Sequence, residues 1–101
     1  MIDVTLPRAS APLGRPLREH EFVTVTWTLE VPEDGRVRGK VARRRHRILR
    51  LLREAEAQGA APRDEDLAEV LDVSLSTLRR DMAALRAEGH HLPTRWRKMT
   101  T

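Results

Sequence analysis

DLAEVLDVSLSTLRRDMAALRAEG, residues 66–89, holds two helical patterns with almost nothing between them. Leu67, Val70 and Leu71 fall at i, i+3 and i+4, one face of a helix. Asp64, Glu65 and Asp66 stand at its start, where acids suit the positive end of the helix dipole. Asp72 and Val73 leave room only for a tight connection. Asp72 stands where such a turn prefers glycine, so it is expected to enter the left-handed region at some cost. Ser74 is placed to cap the next helix by accepting a hydrogen bond from the Thr77 amide. Leu78, Met82 and Leu85 then predict a helix from Leu75 to about Glu88, closed by Gly89. With that face inward, Leu75, Ser76, Thr77, Arg79, Arg80 and Ala83 point outward.

Working upstream, Ile48, Leu51, Leu52 and Ala55 repeat at i, i+3, i+4 and i+7 and predict a helix over Val41 to Gln58, ended by Gly59 and Pro62. Arg43, Arg47 and Arg50 fall on its other side. Val23, Val25, Trp27, Leu29 and Val31 alternate with polar residues, the signature of a half-buried strand over Phe22 to Val31. Pro32 to Gly35 supply a turn. Residues 1–21 read as a mostly irregular arm in which Ile2, Val4 and Leu6 allow one short strand. The twelve residues after Gly89 suffice for one strand near Leu92 to Trp96 and a basic tail. The expected architecture is mainly α with a small β component: an arm over 1–21, a strand and turn over 22–35, and a three-helix domain over 36–101.

The chain has 101 residues, enough for one small domain. Its formal net charge of +4 hides an uneven distribution. Nine basic residues and no acid lie between Arg36 and Arg53, whereas Met1 to Gly35 is net acidic. A block this basic attracts polyanions, and releasing counterions condensed on a nucleic acid favours binding. Arg43, Arg44 and Arg45 sit in the first turns of their helix, where the dipole disfavours cations by roughly 0.3–1 kcal/mol each. A phosphate chain would offset that cost, so Arg36 to Arg47 is expected to follow a nucleic-acid backbone or to be loosely ordered without one.

Two helices joined by a very short turn, the second opening on a serine cap, form the helix-turn-helix pattern. Residues 66–89 resemble the DNA-binding domain of the DeoR-type winged-helix repressors at Leu67, Ala68, Val73, Ser74, Thr77, Arg79, Arg80, Asp81, Glu88 and Gly89. A wider stretch, from the strand near Val23 through RRRHRILRLLREA to GHHLPTR, is similar to an uncharacterised prokaryotic family of helix-turn-helix proteins. The first resemblance implies a winged helix-turn-helix fold that binds duplex DNA. With twelve residues after Gly89, a truncated wing and no effector-sensing domain are expected.

The expected function is therefore sequence-specific binding of double-stranded DNA, as in a transcriptional regulator. Ser74, Leu75, Ser76, Thr77, Arg79 and Arg80 would enter the major groove, where an arginine bonds guanine O6 and N7. Arg43, Arg44, Arg45 and Arg47, with Arg95, Arg97 and Lys98 of the tail, would meet phosphates. Two other readings stay open: a winged-helix adaptor that docks a protein through the apolar strand, and the DNA-binding component of a mobile-element recombinase. A homodimer is expected, because the strand at Val23 to Val31 needs a partner, which the Leu92 segment, the Ile2 segment or a second copy would supply.

The absence of cysteine excludes disulfides, thiolate catalysis and cysteine-based zinc sites, and fits a cytoplasmic protein, nucleoid-associated when on DNA. No apolar run has the length of a signal peptide or a membrane span. His90 and His91 are adjacent and would point apart on a strand, while His20 and His46 are isolated, so no metal or other cofactor is expected. No nucleophile stands at a useful spacing from a base, so an enzyme is not expected, and nothing suggests a small-molecule effector.

Overall fold

The computed structural model describes residues 1–95. In order, β1 (Ile2–Pro7), a 3₁₀ turn (Glu19–Glu21), β2 (Phe22–Trp27), a single helical turn α1 (Pro32–Gly35), and helices α2 (Lys40–Ala57), α3 (Asp64–Leu71) and α4 (Leu75–Ala87) make a mainly helical fold with one two-stranded antiparallel sheet. None of the helices among the described residues is long and apolar enough to cross a membrane.

The three long helices lie where the apolar spacing puts them. Ile48, Leu51, Leu52 and Ala55 of α2 are buried together with Leu67 of α3 and Leu78, Met82 and Leu85 of α4. Leu6, Val25 and Trp27 close this core from the sheet. The Trp27 indole N–H donates to the Leu51 carbonyl at 2.9 Å, giving the buried ring a polar partner in the middle of α2. Asp72 ends α3 in the left-handed region (φ 55°, ψ 49°), and Ser74 accepts the Thr77 amide at 3.1 Å. These two residues set the short α3–α4 turn.

The short strand that Ile2, Val4 and Leu6 allow is present: Ile2 to Pro7 pair antiparallel with Phe22 to Trp27, with Val4 opposite Val25. The chain thus supplies the partner that β2 requires, from one of the three sources expected. The β elements depart from expectation in two places. First, β2 stops at Trp27 instead of reaching Val31. The Thr28 amide donates to Glu54, and Arg50 takes the Thr28 and Leu29 carbonyls, so side chains of α2 capture the backbone that would have continued the ladder. Second, no strand forms over Leu92 to Arg95. Pro93 lacks an amide to donate, the Thr94 amide bonds the Leu92 carbonyl at 2.8 Å, and the Arg95 amide bonds the Pro62 carbonyl at 2.8 Å. The sheet accordingly precedes the helices, and nothing resembling a wing follows α4 among the described residues.

The two edges of the sheet are treated differently. On β2, the Gln58 carboxamide imitates a strand, accepting the Thr26 amide and donating to the Thr26 carbonyl, both at 2.9 Å. Thr26 therefore points its backbone groups away from β1, and its register mate Asp3 turns its own away from β2. Thr5, two residues on, does the same. The outer edge of β1 is covered only near Pro7 and Arg8, by Ala61 and Ala60.

Candidate nucleic-acid interface

The outward side of α4 starts at the Ser74 cap. Ser74, Leu75, Ser76, Arg79, Arg80 and Ala83 are exposed, while Thr77 is half-buried with its amide held by the cap. The Arg79 side chain is 63% exposed and lies 3.4 Å from Asp64 of α3. An exposed pair of this kind contributes about 0–1 kcal/mol and yields easily to a competing anion. Arg80 is exposed and makes no ion pair among the described residues. Two turns beyond Arg79, Arg86 is exposed on the same helix, a residue that sequence reasoning did not assign to this surface.

The arginine block is ordered differently from expectation. From Lys40 onward it is regular helix, and four of its arginines close on two buried carboxylates. Asp81, 1% exposed, accepts Arg44 through Nε and Nη2 and Arg45 through Nε, the last at 3.0 Å. Asp34, 2% exposed, accepts His46 Nδ1 at 2.8 Å, Arg47 Nε at 3.2 Å and Arg50 Nη2 at 2.9 Å. Offsetting cations in the first turns of α2 thus falls to carboxylates of α1 and α4, and does not wait for a phosphate. Arg43 is exposed, its Nε donating to the Val37 carbonyl at 3.2 Å. Arg95 is half-buried and donates to the Ala11 and Pro12 carbonyls, tying the segment after α4 to the N-terminal arm. Trp96, Arg97 and Lys98 lie outside the described residues.

Sequence reasoning missed both carboxylates. Asp81 carried a signal: with Leu78, Met82 and Leu85 it completes the i, i+3, i+4, i+7 face that enters the core. Asp34 carried none, since only the docking of α1 on α2 brings it to Arg47 and Arg50.

Burial alone would raise the pKa of Asp34, yet its bonds from Arg50, His46 and Arg47 outweigh desolvation and hold it at about 2, below the ordinary 3.8. Asp81 is lowered in the same way, Arg44 and Arg45 overcoming burial. A carboxylate whose folded pKa lies below its unfolded value stabilises the fold above the unfolded value. That contribution, about 2 kcal/mol for Asp34, fades as pH falls from 3.8 through about 2. Acid titration followed by circular dichroism should therefore show stability falling steeply below about pH 4. In Asp34→Asn that part of the slope should be missing; an unchanged profile would remove Asp34 as its source.

The fold and this surface define a small, mainly α-helical domain with exposed arginines on α4 and at the start of α2. The chain belongs to the family described as protein of unknown function (DUF1670), whose model matches residues 2–99. No curated protein and no solved structure matches it. The family match covers the stretch from β1 through α4, in keeping with the wider of the two resemblances in the sequence.

Proposed function

We propose that this chain binds double-stranded DNA as a small regulator, α3 and α4 acting as a helix-turn-helix whose second helix enters the major groove. The observation that carries the reading is the exposed stripe Ser76, Arg79, Arg80 and Ala83 at the N-terminal half of α4, opposite the buried Leu78, Met82 and Leu85. Two arginines separated from the core by one helix diameter reach base edges, and Ala83 adds no bulk that would hold the helix off the groove. Arg43 of α2 and Arg86 of α4 are further exposed cations.

An electrophoretic shift with random duplex at about 100 mM salt tests this directly. Wild type should bind, and Arg79→Ala with Arg80→Ala should weaken binding at least about tenfold with unchanged circular dichroism, since one bidentate base contact is worth roughly 1–3 kcal/mol. Failure of wild type to bind any duplex removes the proposal.

The regulator acts as a dimer in this reading, joined through the open edge of β1. Asp3 and Thr5 each present an amide and a carbonyl there, and a second β1 running antiparallel about Val4 sets Asp3 opposite Thr5 of the other copy, which satisfies both. The Thr5 amide takes no part in the β1–β2 ladder. Thr5→Pro should therefore leave the monomer folded and abolish a dimer seen by light scattering. A dimer that survives Thr5→Pro places the contact elsewhere.

A further inference from the structure

Lys40, Arg43, Arg44 and Arg47 occupy i, i+3, i+4 and i+7 of α2, so one face of its first two turns is wholly cationic. Together with Leu71 and Val73 of the α3–α4 turn they line a cleft of about 190 Å³. Like charges at these spacings each cost a few tenths of a kcal/mol, and no acid stands in the first turn of the helix to relieve them.

The buried carboxylates relieve part of the repulsion but leave a surplus. Asp81 and Asp34 lie behind the cleft and are shared with Arg45, His46 and Arg50, so the four lining cations are not neutralised by two anions. Their geometry matters as much as their charge. Asp34 engages Arg47 through Nε, and Asp81 engages Arg44 through Nε and Nη2, leaving Nη1 of both arginines without a protein acceptor among the described residues. Arg43 donates only its Nε, to Val37, and Lys40 has no ion pair among the described residues. Two cations are thus held from behind with donors to spare, and two hold no carboxylate among the described residues. Leu71 and Val73 give the cleft an apolar wall, which lowers local screening of a bound charge.

We propose that this cleft is a seat for one phosphate group, with Lys40 and Arg43 as donors that hold no carboxylate and Arg44 and Arg47 as donors positioned by Asp81 and Asp34. A tetrahedral phosphate presents several acceptor oxygens to several directions, which matches forked and point-charge donors converging from one helix face. The inference deepens the nucleic-acid reading and rests on it only for the source of the phosphate. On DNA the seat takes a backbone phosphodiester beside the groove that α4 enters; apart from DNA the same chemistry takes a free phosphate.

Calorimetric titration with pyrophosphate, and a shift assay with random duplex, should be run on wild type, Lys40→Ala/Arg43→Ala and Arg79→Ala/Arg80→Ala. The first variant removes the two cations that hold no carboxylate, so circular dichroism should be unaltered. Wild type should bind pyrophosphate saturably, Lys40→Ala/Arg43→Ala about tenfold or more weakly, and Arg79→Ala/Arg80→Ala like wild type. On the duplex, Lys40→Ala/Arg43→Ala should also reduce the salt slope by about 1, one phosphate's share. Saturable pyrophosphate binding lost in Lys40→Ala/Arg43→Ala, with no duplex bound by any protein, keeps the seat, assigns it a free phosphate and ends the nucleic-acid reading. Wild type that fails to bind pyrophosphate, or Lys40→Ala/Arg43→Ala that binds it as wild type does, overturns the seat whatever the duplex assay shows.

Discussion

Asp81→Ala should lower the stability of the chain by about 3 kcal/mol, read from urea unfolding at neutral pH. The side chain is 1% exposed and holds Arg44 and Arg45, so its removal leaves two largely buried guanidinium groups without their counter-charge. Breaking a buried pair typically costs about 3–5 kcal/mol, and the lower end applies because both arginines keep roughly a quarter of their side chains in water. Removing all three charges at once, as in Arg44→Met/Arg45→Met/Asp81→Leu, should recover much of the loss, because well-packed apolar replacements of a buried ionic cluster are often neutral. A loss under about 1 kcal/mol for Asp81→Ala would mean that water already serves the arginines. The same residue links stability to function. Asp81 sits on α4, and the arginines it holds sit on α2, so one carboxylate sets how the proposed reading helix and the proposed phosphate contacts lie relative to each other.

The second large effect belongs to Trp27. Trp27→Ala should cost about 3–5 kcal/mol, since the ring is fully buried where the sheet meets α2 and its loss opens a cavity that the strand cannot collapse to fill. Trp27→Phe should cost less, about 1–3 kcal/mol, made up of lost volume and the lost second hydrogen bond to the Leu51 carbonyl, which keeps its helical bond from the Ala55 amide. Both variants lose the hydrogen bond, so the difference between them measures the packing of the phenyl ring alone. Equal losses would show that the indole N–H, and not ring volume, carries the site. In a chain with so few aromatic residues, this one side chain joins the N-terminal sheet to the helical unit.

How much could be read in advance differs from element to element. The Ser74 cap, the left-handed Asp72 and the inward face of Leu78, Met82 and Leu85 follow from local rules, and the structure has them as expected. Such features depend on residues within one helical turn of each other, which is the range over which sequence spacing and geometry correspond. The end of β2 does not, because Arg50 and Glu54 come from a helix more than twenty residues away. Asp81 lay between these cases. Its position on the buried face was visible, but its meaning required knowing which helix would cross it.

By itself, the sequence determined the three long helices, the turn between α3 and α4, and the outward placement of Arg79 and Arg80, since each follows from periodicity and capping over a few residues. Only the tertiary structure decided which arginines of the basic block are already held by carboxylates and which face solvent uncommitted. It also decided that β2 pairs with β1 of its own chain. The physical reason is common to both: ion pairs and strand partners are chosen by elements far apart in sequence, whose approach is fixed by burial of the shared core and not by any local preference.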